Sequence, residues 1–213
     1  QPSQERGPLN RKVESMPTLL DTPPVSETRT GREAVATAEL ESSSSDDQRA
    51  IMEWFAPENL SWKNVDWVVV VWMAGIHLAA LAAPFFFTWQ ALGVAVFMAW
   101  LTGSIGICLG YHRYLSHRSL KLSPPAEFFV MLCGVLSGQG SPLSWTAMHR
   151  VHHQRSDREG DPHSPLDGAW WSHLLWLFVY RSPKQLDALY RRYLPDLVDR
   201  RVLRCFEKTY GCL

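Results

Sequence analysis

Charge is missing from the sequence where a soluble protein could not do without it. From Trp67 to Tyr111, 45 consecutive residues contain no Asp, Glu, Lys or Arg. About 20 apolar residues cross a bilayer once, so this run is long enough to cross twice. The same length weighs against the alternative, a pair of helices buried inside a soluble core. The mean hydropathy of −0.14 hides this partition, because charge is concentrated on either side of it. Other absences narrow the function. The 21 basic residues balance 21 acidic ones with no polybasic block, which leaves no electrostatic footprint for nucleic acid. Cys108, Cys133, Cys205 and Cys212 form no C-x-x-C pair, so neither a zinc ribbon nor a disulfide framework is expected.

Aromatic residues are absent from positions 1–50, which hold 12 Ser/Thr, 5 Pro and nine acidic residues. Such a segment buries too little apolar surface to offset the entropy of ordering. It reads as a disordered tail or the remnant of a transit peptide, the acidic residues counting against the latter. The first residue is Gln rather than Met and the last is Leu213. The chain therefore reads as a fragment, with residues 51–213 as the N-terminal part of a membrane domain.

What is present is tryptophan, ten in all, a residue that favours the bilayer interface. Spans are expected at about 67–87 and 91–111, joined near Thr88-Trp89-Gln90 into a helical hairpin with both ends on one side. Arg113, Arg118 and Lys121 follow the second span and place that side in the cytosol or its equivalent. Residues 127–148, interrupted by Gly134, Gly138, Gly140 and Pro142, suit a re-entrant or interfacial helix. Residues 169–180, AWWSHLLWLFVY, are too few to cross and suit a helix in the interface plane. The last 33 residues carry eight Lys/Arg against four Asp/Glu, as expected of helices facing headgroups.

Five of the eight histidines fall between His112 and His153. His149, His152 and His153 stand at i, i+3 and i+4, one face of a helix. His152 and His153 still diverge by about 100°, which suits two neighbouring targets. At α-helical spacing His112 and His117 stand about 140° apart, a separation that allows them to flank a pair of metals. Neutral imidazole suits iron, copper, zinc and nickel. A zinc peptidase is excluded, because neither group contains the Glu of H-E-x-x-H.

The stretches GYHRYLSHRSLKL (110–122), SWTAMHRVHHQRSD (144–157), GDPHSPLDGAWWSHLLWLF (160–178) and YRRYLPDL (190–197) resemble the membrane-bound fatty acid desaturases. The likeness is to the Δ9-type acyl-lipid and acyl-CoA desaturases of plants, algae and cyanobacteria, relatives of stearoyl-CoA desaturase, and covers roughly residues 58–205. It implies an all-α integral membrane fold: a transmembrane hairpin with a histidine-box cap on the cytosolic side, half of a four-helix domain. It also implies O2-dependent desaturation of an acyl chain at a di-iron centre, two irons per complete enzyme. His112, His117, His149, His152 and His153 match iron ligands of the first two boxes. His163, His173, Asp161 and Trp145 are expected around those ligands or along the substrate channel, with a plain interfacial role the equal alternative for His173, and His77 as a helix-packing group. For Arg113, Arg118, Arg150 and Arg155 the alternatives are pairing with headgroups, pairing with carboxylates such as Asp157 and Asp161, or plain solvation.

The family's third box, H-x-x-H-H after two further spans, is not in this sequence. Residues 1–213 alone are therefore expected to be inactive. Acyl-CoA members carry Arg-Asp before the second box and Arg-Lys after the interfacial helix, where this sequence has Ala147-Met148 and Tyr180-Arg181. The difference points to a lipid-linked acyl chain. Without a His-Pro-Gly-Gly haem motif in the chain, the electron donor is expected to be separate. Ferredoxin would suit a plastid membrane and a b-type cytochrome the endoplasmic reticulum. Alternatives are a related di-iron membrane hydroxylase or a non-catalytic membrane protein.

Overall fold

The computed structural model describes residues 49–210; the expected tail over 1–50 lies outside them, apart from its last two residues. Among the described residues the architecture is helical, relieved by one antiparallel bridge between Val65 and Val179. Helix α1 (Trp67–Ala82) starts where Asp66 Oδ1 accepts from the Val68 and Val69 amides, and passes into a 3₁₀ turn at Ala83–Phe86. Thr88 Oγ1 accepts from Ala91 N at 3.1 Å and opens α2 (Trp89–Trp100). That helix continues without a break into a π-helical segment, Leu101–Ser116.

The two apolar stretches, Trp67–Phe86 (20 residues) and Trp89–Ser116 (28 residues), are each long and apolar enough to cross a membrane. Residues 67–86 and 89–100 face outward rather than into the protein, whereas 101–116 is largely covered, with Gly106, Gly110, Tyr111 and Leu115 buried. An apolar surface of that extent is stable against lipid and not against water. The second stretch begins two residues before the expected start, because Thr88 caps it, and runs five residues beyond the expected end at Tyr111. The helix outlasts the uncharged run because its hydrogen bonding continues past Tyr111, as from His117 N to His112 O.

Helix α3 (Pro124–Val135) packs against 101–116 at backbone distance. A Cβ on Gly106 would stand 2.5 Å from the Cys133 carbonyl carbon and the Gly134 nitrogen, and one on Gly134 would overlap the Tyr111 ring. Gly138 (φ 71°) and Gly140 (φ 115°) then turn the chain into α4 (Pro142–Arg155), capped by Ser141. The interfacial segment expected over 127–148 is thus two helices. The helix expected over 169–180 is also divided, into α5 (Ala169–His173) and a 3₁₀ turn at Leu175–Phe178. Phe178 O accepts from Asp66 N and Tyr180 N donates to Asn64 O, which holds 178–180 extended beside the entry to α1. Helix α6 (Pro183–Tyr193) opens with a Ser182/Gln185 capping box, and α7 (Arg201–Thr209) follows. Both lay an apolar stripe (Leu189, Tyr190, Leu203, Phe206) on a core that includes Phe55, Leu115, Met131 and Leu143.

Candidate metal centre

The end of the long second helix and the middle of α4 meet, and the histidines meet with them. Hydrogen bonds that close from i to i+5, such as His117 N to His112 O at 3.1 Å, place residues five apart one above the other. His112 and His117 therefore converge, their Nε2 atoms 3.1 Å apart, rather than standing about 140° apart as α-helical spacing gives. From α4, His149 and His153 stand with ring centroids 4.4 Å apart, His149 lying 4.8 Å from His112 and His153 lying 4.8 Å from His117. One ring nitrogen from each of these four residues lies within 4.8 Å of the others.

His152 turns away from this group. Its Nδ1 lies 2.9 Å from Oδ1 of Asp161, whose side chain has no exposed surface, and its ring stacks on His163 at 4.3 Å. Backbone amides of Asp157 and His163 donate to the same carboxylate, and these three side chains form a second potential metal-binding group. His163 contacts Trp176 at 5.2 Å, which connects this group to the segment bonded to the start of α1. Both ends of the apolar pair thus lie at the histidine-bearing end of the molecule. Trp145 stacks on His149 at 4.7 Å and rests on Tyr111 in turn. His173 is exposed and belongs to neither group.

Two of the four arginines, Arg150 and Arg118, take a carboxylate other than Asp157 and Asp161. Arg150 and Arg118 both bind Asp196, a residue the sequence reading did not single out, while Asp161 is occupied by His152 and backbone amides. Only the presence of Asp196 in the YRRYLPDL stretch hinted at it.

The donor chemistry fits a metal. Nε2 of His149 is buried with no hydrogen-bond partner, a costly state for a polar atom that a ligated ion would relieve. Burial, then the repulsion of His153, His112, His117 and His152, pushes His149 down to about 3, so its imidazole is neutral and its lone pair free at physiological pH. Burial and the same neighbours lower His153 as well. At Asp161 burial favours the acid, but the bonds from His152 and the two amides outweigh it and hold the carboxyl below its usual range. An ionised carboxylate can only accept, so His152 donates through Nδ1 and keeps Nε2 open.

Residues 87–208 match the family model described as fatty acid desaturase. The chain is 45% identical over 160 residues to the sn-2 palmitoyl-lipid 9-desaturase of Nostoc sp. (strain 36), covering 74% of this chain and 55% of that protein. It is 45% identical over 149 residues to Delta-9 acyl-lipid desaturase 2 of Arabidopsis thaliana, covering 70% and 48%. Over 117 residues it is 45% identical to the chloroplastic palmitoyl-monogalactosyldiacylglycerol delta-7 desaturase of Arabidopsis thaliana, covering 55% and 32%. The chain spans about half the length of the curated relatives it matches.

Proposed function

The chain belongs to the fatty acid desaturase family, and from that membership we propose that the whole protein desaturates a saturated, glycerolipid-linked acyl chain in a Δ9-type reaction, with O2 as oxidant. The observation that carries this reading is the convergence of His112, His117, His149 and His153 around the unpartnered Nε2 of His149, at the end of two membrane-length helices. His112, His117, His149, His152 and His153 would hold two irons, together with ligands from the rest of the protein. Bound iron would supply what no side chain has, the power to break an unactivated C–H bond using O2 and two external electrons.

The chain's own residues do the positioning. Asp161 fixes the proton of His152 on Nδ1 and aims Nε2; Trp145 lies flat against His149 and limits its rotation. Ala147 and Met148, on the turn that carries His149, are buried apolar residues, so no charged pair stands there to bind CoA phosphates. That supports a lipid-linked substrate, as the names of the relatives do. The protein would be multi-pass in a plastid membrane, fed by ferredoxin, or in the endoplasmic reticulum, fed by a b-type cytochrome; a chloroplastic relative supports the plastid. Expression of the full-length protein in desaturase-deficient yeast, with positional analysis of its glycerolipids, tests the reading. Monounsaturated chains that vanish with His149→Ala are expected. Hydroxylated chains, or no new product from a well-expressed protein, would overturn it.

A further inference from the structure

We infer that Asp196 is a positioning residue that sets the two histidine-bearing elements against each other; this rests on the reading of the histidine cluster as a metal site. The cluster takes two histidines from the end of the π-helical segment and two from α4, so its geometry depends on how those two elements are held against each other. Asp196 touches both. Its Oδ1 lies 2.7 Å from Nη1 of Arg150 and its Oδ2 3.0 Å from Nη2, a bidentate pair with the residue that follows His149. The same Oδ2 lies 2.9 Å from Nε of Arg118, the residue that follows His117.

Two further contacts close the arrangement. Arg150 Nη2 donates to Leu115 O at 2.8 Å, in the turn between His112 and His117, and Nη1 donates to Tyr193 O at 3.0 Å. Arg118 adopts φ 51°, a left-handed conformation that costs free energy in a residue with a side chain and persists where surrounding contacts fix it. The ion pair with Asp196 is such a contact, one residue from His117. Burial works against the Asp196 carboxylate, yet bonding from Arg150 and its own backbone, with the charge of Arg118, keeps it ionised. A ligand set displaced by even half an ångström binds its metal poorly. Among the described residues Asp196 makes no hydrogen bond or ion pair to a histidine, so its influence would act through Arg118 and Arg150.

The experiment uses the full-length protein in detergent, loaded with Co2+ in place of iron, and follows chelator-driven loss of the cobalt absorption band. His149→Ala reports whether the cobalt sits in the cluster at all. Asp196→Asn keeps the shape and removes the charge. Leu189→Ala, a buried core position on α6 that belongs to neither histidine group, serves as the stability control. The expected result is that Asp196→Asn speeds cobalt loss about tenfold and alters the band, as loss of an outer partner does. Leu189→Ala should lower the melting temperature with the loss rate unchanged. Parent-like loss from Asp196→Asn, or equal acceleration by Leu189→Ala, would sink the positioning role and leave the metal site standing. Cobalt retained as in the parent by His149→Ala would instead remove the metal-site reading, and the role of Asp196 with it.

Discussion

Nδ1 of His152 lies 2.9 Å from Oδ1 of Asp161, and that carboxylate is wholly enclosed, receiving two backbone amides besides. The pair leaves Nε2 of His152 as the only nitrogen free to bind a metal. Asp161→Asn would keep the volume but could no longer hold the ring in one tautomer. Metal affinity of the full-length protein should fall about 10- to 100-fold. Competition with a chromophoric chelator would measure it, and an unchanged affinity would separate Asp161 from metal binding.

The four converging imidazoles predict an acid sensitivity in the metal-free protein. His149 titrates near 3 when folded and near 6.5 when unfolded. Between those values the unfolded chain binds a proton that the folded one refuses, so stability falls as pH drops from about 6.5 towards 3. The contributions of Asp161 and Asp196, both held low, are lost only further down, below the ordinary carboxylate value of 3.8. Melting temperatures of the metal-free protein between pH 7 and pH 4 should decline, and the decline should be shallower in His149→Gln. Equal slopes in the two proteins would count against the assignment.

The uncharged run from Trp67 to Tyr111 made the helical pair legible, because excluding charge from lipid is a property of local composition. The histidine spacing likewise marked the site. The convergence of His112 and His117 was not legible, since an α-helical period was assumed where the chain winds with i-to-i+5 bonds. Nor was the role of Asp196, which meets Arg118 and Arg150 across 78 and 46 residues of sequence; pairing at that distance leaves no periodic trace. The extended exit at 178–180 is a third case, since Phe178 accepts from Asp66 and Tyr180 donates to Asn64, partners that a reading of 169–180 alone does not contain.

Close approach of 101–116 and α3 depends on glycine. A methyl group at Gly106 would strike the backbone of Cys133 and Gly134, which cannot swing aside as a side chain end would. Gly106→Ala should cost about 1–3 kcal/mol as overpacking does. Because Tyr111 carries Trp145 and Trp145 carries His149, metal retention should weaken too. Gly103→Ala, where nothing stands within 4 Å of the added carbon, should be tolerated. Thermal melts in detergent compare the two.

Both ends of the helical pair are expected on one side of the membrane. Asp66 bonds to Phe178, and Trp176 reaches His163 beside His152, so the entry to α1 and the histidines share one end of the molecule. Glycosylation acceptors inserted at residues 50 and 160 should report the same compartment. Modification of one site only would break the hairpin.

Two histidines of the same chain should behave oppositely on replacement. His77 stands alone in α1 on an outward-facing surface, its Nδ1 2.7 Å from Met73 O one turn back, so its polar demand is met within its own helix. None of the other histidines lies in its group. His152 is tied to a buried carboxylate and stacked on a second imidazole, and it matches the family's second box. In the full-length protein His77→Ala should retain most desaturation, because only a local bond on the apolar surface is lost. His152→Ala should abolish it, since an absent ligand cannot be compensated by a neighbour whose nitrogens are already directed elsewhere. Iron content by mass spectrometry, read beside the acyl profile, distinguishes loss of metal from loss of fold: His152→Ala should bind less iron while eluting as the parent does. An active His152→Ala protein with its full iron complement would remove this residue from the ligand set.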